Sequence, residues 1–184
     1  MLRTSVPIRV KPDTQPDQTM PPSKAEQIID ELGAVAEERR RRDEDPALGE
    51  RVLTLKAYQQ RRFARTHQDF LNNPRYRAAS LFFLEQLYGP EDFSNRDGQF
   101  ARVVPAMVRL FPSEVVETVA SLASLHAISE RLDSIMANHF LGDLTRQAYV
   151  AAWQATGNPE SREKQISLSL AIGDSLDRLT RKPL

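Results

Sequence analysis

From Pro46 to Leu71 the side chains Leu48, Val52, Leu55, Gln59, Phe63, Thr66 and Phe70 recur at steps of three or four residues. At about 100° per residue they fall on one narrow stripe, so this segment is a helix with a single face to hide. The same period returns along the rest of the chain. Nowhere do alternating β-branched residues lie between turn signals, as a strand requires. The sequence therefore predicts an all-α fold, an irregular bundle of about five to seven helices. No self-similarity at a repeat period is visible, which argues against a solenoid.

Proline and charge divide the chain. Residues 1–22 hold Pro7, Pro12, Pro16, Pro21 and Pro22 among polar side chains. Proline removes backbone donors and fixes φ, so a disordered arm is expected there. Residues 23–45 read as a weak charged helix or linker, opened by a capping box of Ser23 and Glu26. Its apolar face is Ile28, Ile29, Leu32, Val35 and Ala36, and it runs into Glu37-Glu38-Arg39-Arg40-Arg41-Arg42-Asp43-Glu44-Asp45. Mixed signs in such a run predict a solvated helix end. The helical domain is expected over 46–184.

Within that domain Asn72-Asn73-Pro74 ends the first helix. Residues 74–88 carry a wide apolar arc and suggest a central helix, stopped by Gly89-Pro90. A helix capped near Ser94 contains Pro105, which predicts a kink. From Ser113 two apolar faces appear in turn, Val115, Val119 and Leu122, then Leu125, Ile128, Leu132, Ile135 and Met136. Either one straight helix buries both, or the helix breaks near Ser129. Gly142-Asp143 starts a helix with Tyr149, Val150 and Trp153 on one side and Leu144, Ala148, Ala151, Ala152 and Ala155 on the other. Gly157-Asn158-Pro159 leads into the last helix, whose expected buried face is Leu168, Ile172, Leu176 and Leu179.

Composition then removes whole classes of chemistry. There is no Cys, so a disulfide scaffold, a Cys-based zinc site and a Cys nucleophile are all absent. With 25 Lys+Arg against 25 Asp+Glu, no global field draws the chain to nucleic acid or anionic lipid. No apolar run reaches the roughly 18 residues of a membrane span. The N-terminus has no long apolar stretch of the secretory kind, so a cytoplasmic location is expected. Hydrolase motifs, phosphate-binding glycine loops and the Glu-x-x-His pairs of di-iron bundles are missing.

At Phe82-Phe83-Leu84, Leu87-Tyr88-Gly89, Asp92-Phe93 and Arg96-Asp97 the chain resembles a group of all-helical bacterial proteins to which no activity is attached. Arg62-Phe63, Thr66 and Leu132-Asp133 share the likeness, which covers about residues 46 to 183. The resemblance implies an all-helical fold. It also implies that members continue beyond Lys182-Pro183-Leu184, so that this chain lacks a closing helix.

Three candidate sites emerge. The loop bearing Tyr88, Asp92, Arg96 and Asp97 sets carboxylates beside an arginine, a pattern suited to cation binding or acid–base work if burial shifts a pKa. Helix capping by Asp92 or Ser94, with local Arg96–carboxylate pairing, is the plainer account. His126 lies in line with Val115, Val119 and Leu122; facing the interior near Phe82, Phe83, Phe93 and Phe100, it can ligate a haem-type cofactor. The row Arg51, Tyr58, Arg62 and Arg65 is a candidate partner face. Residues 46–89 hold seven basic and three acidic groups, and 113–142 hold one basic and four acidic, an asymmetry that can join two copies. No catalytic or metal-ligating residue is assigned and no cofactor is required. The sequence points to a non-catalytic protein-interaction module with an unidentified protein partner, or a homodimer. A cofactor-binding bundle and an enzyme built on the 88–97 loop are the alternatives.

Overall fold

A computed structural model describes residues 21–82, 84–85 and 94–181. Among them there is no strand, and eight helices follow one another, six long and two short: α1 Lys24–Glu44, α2 Pro46–Thr66, α3 Gln68–Asn72, α4 Arg77–Phe82, α5 Ser94–Leu110, α6 Ser113–Ala137, α7 Arg146–Thr156 and α8 Pro159–Arg181. The expected arm, apart from Pro21 and Pro22, lies outside the described residues, as do Tyr88, Asp92 and Phe93.

The boundaries follow local chemistry. Ser23 and Glu26 close the expected capping box, with the Ser23 N–H donating to Glu26 Oε2 at 2.7 Å. Asp45 caps α2, accepting from the Leu48 N–H at 3.1 Å, and Pro46 fills the first turn, where a missing N–H costs nothing. Gly157 and Asn158 both take positive φ, 62° and 54°, and turn the chain sharply between α7 and α8. Thr145, rather than Gly142-Asp143, caps α7. His67 ends α2 five residues before Asn72, and a separate short α3 follows.

The central position belongs to α6, not to the 74–88 segment, whose described part is the short α4 lying against α3. Helix α6 is 25 residues long in all and runs unbroken through Ser129, and α1, α2, α5, α7 and α8 all pack on it. It threads two apolar cores. At its N-terminal end Val116, Ala120 and Ala123 meet Ile28 and Leu32 of α1 and Val104 of α5. At its C-terminal end Met136 and Ala137 meet Val52, Leu55 and Tyr58 of α2, with Phe140, Leu144 and Ala152. The 23–45 segment, expected as a weak charged helix or linker, is thus packed onto the body through part of its expected apolar face, Ile28, Leu32 and Val35 of α1, which are buried. Burying three such side chains is worth roughly 5 kcal/mol of transfer free energy, enough to hold a helix that propensity alone would not. Helix α5 continues through Pro105. On α8, Ile172 is buried as expected, but Leu176 stands 36 % exposed and Ser175 takes a buried place beside Thr118, at 2.7 Å between hydroxyls.

Candidate functional site

Between the two apolar cores, α6 presents His126, Glu130 and Asp133, spaced by four and three residues and so stacked on one face. Three helices answer with polar groups of matching spacing: Arg39 and Arg42 from α1, Lys56 and Gln59 from α2, and Asp97 from α5. Glu130, with its side chain 5 % exposed, is ion-paired through one oxygen to Arg42 and through the other to Lys56 at 2.7 Å, with Arg39 at 3.6 Å. Asp97 pairs with Arg39 at 2.9 Å and with His126 Nε2 at 3.3 Å. Gln59 donates to Asp133 at 3.0 Å. This is a buried ionic waist that pins α1, α2 and α5 to one register on α6.

The electrostatics sort the three carboxyls. Burial by itself would raise Glu130, but Lys56 and Arg42 more than offset it and hold the group at about 2. Burial likewise opposes ionisation of Asp97, and the His126 hydrogen bond and charge, then Arg39 and Arg96, bring it down to about 2. Both are therefore fixed anions at neutral pH, acceptors rather than proton donors. Asp133 is the opposite case. Burial pushes it up to about 6 despite the Gln59 hydrogen bond, and neighbouring Glu130 adds to the rise.

Asp133 yields a signed expectation. Its folded pKa is raised above the ordinary 3.8, so the folded chain holds the proton more tightly. The associated stability is fully present below pH 3.8 and is lost as pH rises through 6. Asp133→Asn keeps the shape and the acceptor for Gln59 while removing the charge. It should raise stability at pH 7 by about 1 kcal/mol, a figure reduced for the half-buried setting. It should also remove the decline between pH 4 and 7, measured by urea unfolding at each pH.

The sequence candidates fall out unevenly. Arg96 and Asp97 pair locally at 3.2 Å as the capping account expects, yet the other Asp97 oxygen reaches Arg39 and His126. The loop candidate and the histidine candidate are thus one site, as far as their described residues go. The His126 Nε2 that an iron would take is shared between Asp97 and Arg39, at 3.3 Å from each, so ligation through that nitrogen would have to break both contacts. The row proposed as a partner face divides: Arg51 and Tyr58 turn inward, while Arg62 and Arg65 are exposed. Arg51 donates to the Ala137 carbonyl at 2.8 Å, closing the C-terminus of α6, where a cation is favoured. Tyr58 is buried and stacks on Tyr149 at 4.8 Å, and Arg62 lies over the same Tyr149 ring. Arg65 stays exposed. The physical reason is that α7 packs where that row points, and flat aromatic and guanidinium groups fill a helix junction as readily as an outer surface.

Sequence reasoning missed Glu130, Asp133, Arg39, Arg42, Lys56 and Gln59. Of the four consecutive arginines, Arg40 behaves as expected for a solvated helix end, pairing with Glu37 and Glu44 on the surface. Arg39 and Arg42, one turn apart, point to the interior. No cluster of three or more His, Asp or Glu suited to a metal occurs among the described residues, and no described helix is long and apolar enough to cross a membrane.

A different surface stands out for what it lacks. Residues 147–159 and 165–173 carry no charged side chain, in a chain that is 27 % charged. Their outward positions include Val150, Trp153, Ile166 and Leu170, with Trp153 48 %, Ile166 61 % and Leu170 67 % exposed. Shallow concavities flank Gln154, one lined by Arg146, Val150 and Ala151, the other by Trp153, Arg162 and Ile166.

Residues 38–184 match the model of a protein family described as "Domain of unknown function (DUF8198)". No curated protein and no solved structure matches the chain.

Proposed function

We propose that this chain, which belongs to the DUF8198 family, is a non-catalytic protein-interaction module whose contact surface is the charge-poor face of α7 and α8, edged by Arg146, Arg162 and Glu163. The observation that carries this reading is the pairing of high exposure with charge depletion at Val150, Trp153, Ile166 and Leu170. Scattered exposed apolar groups are ordinary, but a cluster with an aromatic and few charges has the composition of an interface core. The ionic waist supplies the rigid frame: it fixes helix register and leaves Glu130 and Asp97 committed to cations on neighbouring helices. The cysteine-free composition suits the reducing interior of a bacterial cell, and we place the chain in the cytoplasm.

The reading is tested by installing a photo-crosslinking amino acid at Trp153 or Ile166 and, as a control, at exposed Leu53 on α2, in cells that express the chain. Discrete protein adducts should form at 153 and 166 and not at 53. Equal labelling at all three positions, or none at 153 and 166, would remove the reading.

A further inference from the structure

Helix α8 runs antiparallel to α6 along a ladder of polar contacts. Towards the start of α6 the hydroxyls of Thr118 and Ser175 meet at 2.7 Å, and further along it Ser129 accepts from Gln165 at 2.9 Å. One turn beyond Ser129 stands Asp133, and just under one turn before Gln165 stands Arg162. Two antiparallel helices in this register bring those two residues level, as the next rung.

That rung is open. Arg162 Nε and Nη2 are buried and have no hydrogen-bond partner. Together they are the side-on edge of a guanidinium, the one that takes a carboxylate through two parallel bonds. The guanidinium lies instead over the Trp153 ring, 5.4 Å from its centre. Across the gap Asp133 Oδ1 accepts from Gln59, and Oδ2 accepts no hydrogen bond among the described residues. Neither Arg162 nitrogen is open to solvent, so an acceptor has to come from inside the fold. The other groups that face this place are engaged. From α2 and α1, Lys56 and Arg42 hold Glu130 of α6. On α7 the Tyr149 hydroxyl takes Arg62 at 3.4 Å. Glu163, next to Arg162 on α8, is exposed. Asp133 and Tyr149 are the groups whose charge bears on Arg162, and burial pushes Asp133 up to about 6.

We propose that Asp133 and Arg162 form a proton-operated latch: with Asp133 protonated the guanidinium stays over Trp153, and with Asp133 ionised it swings inward to pair side-on with that carboxylate and uncovers the indole. The proton passes to solvent and no other covalent bond changes. Arg162, Trp153 and Ile166 line one concavity on the face of α7 and α8, so the swing reshapes that face. Both ends of the latch lie in one chain, so it needs no partner and stands apart from the interaction reading above.

Trp153 is the single tryptophan of the chain, and fluorescence of the purified full chain therefore reads its ring alone. As pH rises, its emission should move to longer wavelength in one step with a midpoint at about 6 or just below, because the ring exchanges the guanidinium for water. Asp133→Asn should keep the short-wavelength spectrum at every pH, and Arg162→Gln the long-wavelength one. His139→Gln, a control for histidine titration, should leave the step in place. Linkage gives a second readout. Followed by carbon NMR, the Asp133 carboxyl should titrate about one unit lower in the wild type than in Arg162→Gln, a tenfold difference in proton affinity. An emission maximum that does not move with pH, a step that survives Asp133→Asn, or an Asp133 midpoint indifferent to Arg162 overturns the proposal.

Discussion

Replacing Glu130 by Ala should cost about 3 to 5 kcal/mol of unfolding free energy, because it strips the anion from a buried meeting point of cations. Arg42 and Lys56 converge on that one carboxylate and Arg39 lies 3.6 Å from it, while the Glu130 side chain is 5 % exposed. Without the anion, three positive groups would remain close together with little water to screen them. The loss measures the penalty of stranded charge more than the net worth of the network. The triple variant Glu130→Leu/Arg42→Leu/Lys56→Leu should therefore recover most of it, since well-packed apolar groups often substitute for a buried ion cluster with no net loss. Urea unfolding of the single and triple variants separates the two quantities. A Glu130→Ala cost below about 1 kcal/mol would be that of a surface pair, and the waist would not be the closed ionic centre that its geometry describes.

How much of this was readable beforehand depends on the kind of signal. The helices were legible because each carries its own period: Val52 and Leu55 are buried as the stripe requires, and the Ser23–Glu26 box is formed. The central role of α6 was harder to read. A helix covered on several sides shows two apolar faces in sequence, and a broken helix shows the same pattern. The ionic waist escaped because each half looks ordinary alone. Glu130 and Asp133 read as the polar side of an amphipathic helix, His126 as a lone histidine on an apolar row, and Arg39 and Arg42 as members of a neutralised run. Only their common spacing hinted at a match: three or four residues on α6, three on α1 between Arg39 and Arg42, and three on α2 between Lys56 and Gln59. Reciprocal polar stripes on helices far apart in sequence become informative once it is known which helices touch, and no local pattern supplies that. The row Arg51, Tyr58, Arg62 shows the same limit. Its periodicity was correct, but the direction it faces was set by α7, some ninety residues away.

Asp97 separates a helix cap from a tertiary clasp, and its two substitutions should differ from what capping alone predicts. Asn is about as good as Asp at a helix start. If Asp97 served only the first turn of α5, Asp97→Asn would be nearly silent and Asp97→Ala would cost about 1 kcal/mol. The carboxylate instead joins Arg39 at 2.9 Å and His126 at 3.3 Å across three helices, with its side chain 13 % exposed. Asp97→Ala should accordingly cost about 2 to 3 kcal/mol, and Asp97→Asn should keep most of that cost because the amide cannot answer the Arg39 charge. The sign of the pH dependence gives a second readout. A folded pKa of about 2 against an ordinary 3.8 means that the Asp97 contribution is present above pH 3.8 and fades as pH falls towards 2. Both variants should therefore lie below the wild type at pH 7 and converge on it in acid, with a shallower acid limb. Curves that stayed parallel down to pH 2 would show that the carboxylate is not held ionised by the clasp, and Asp97 would then act on its own helix alone.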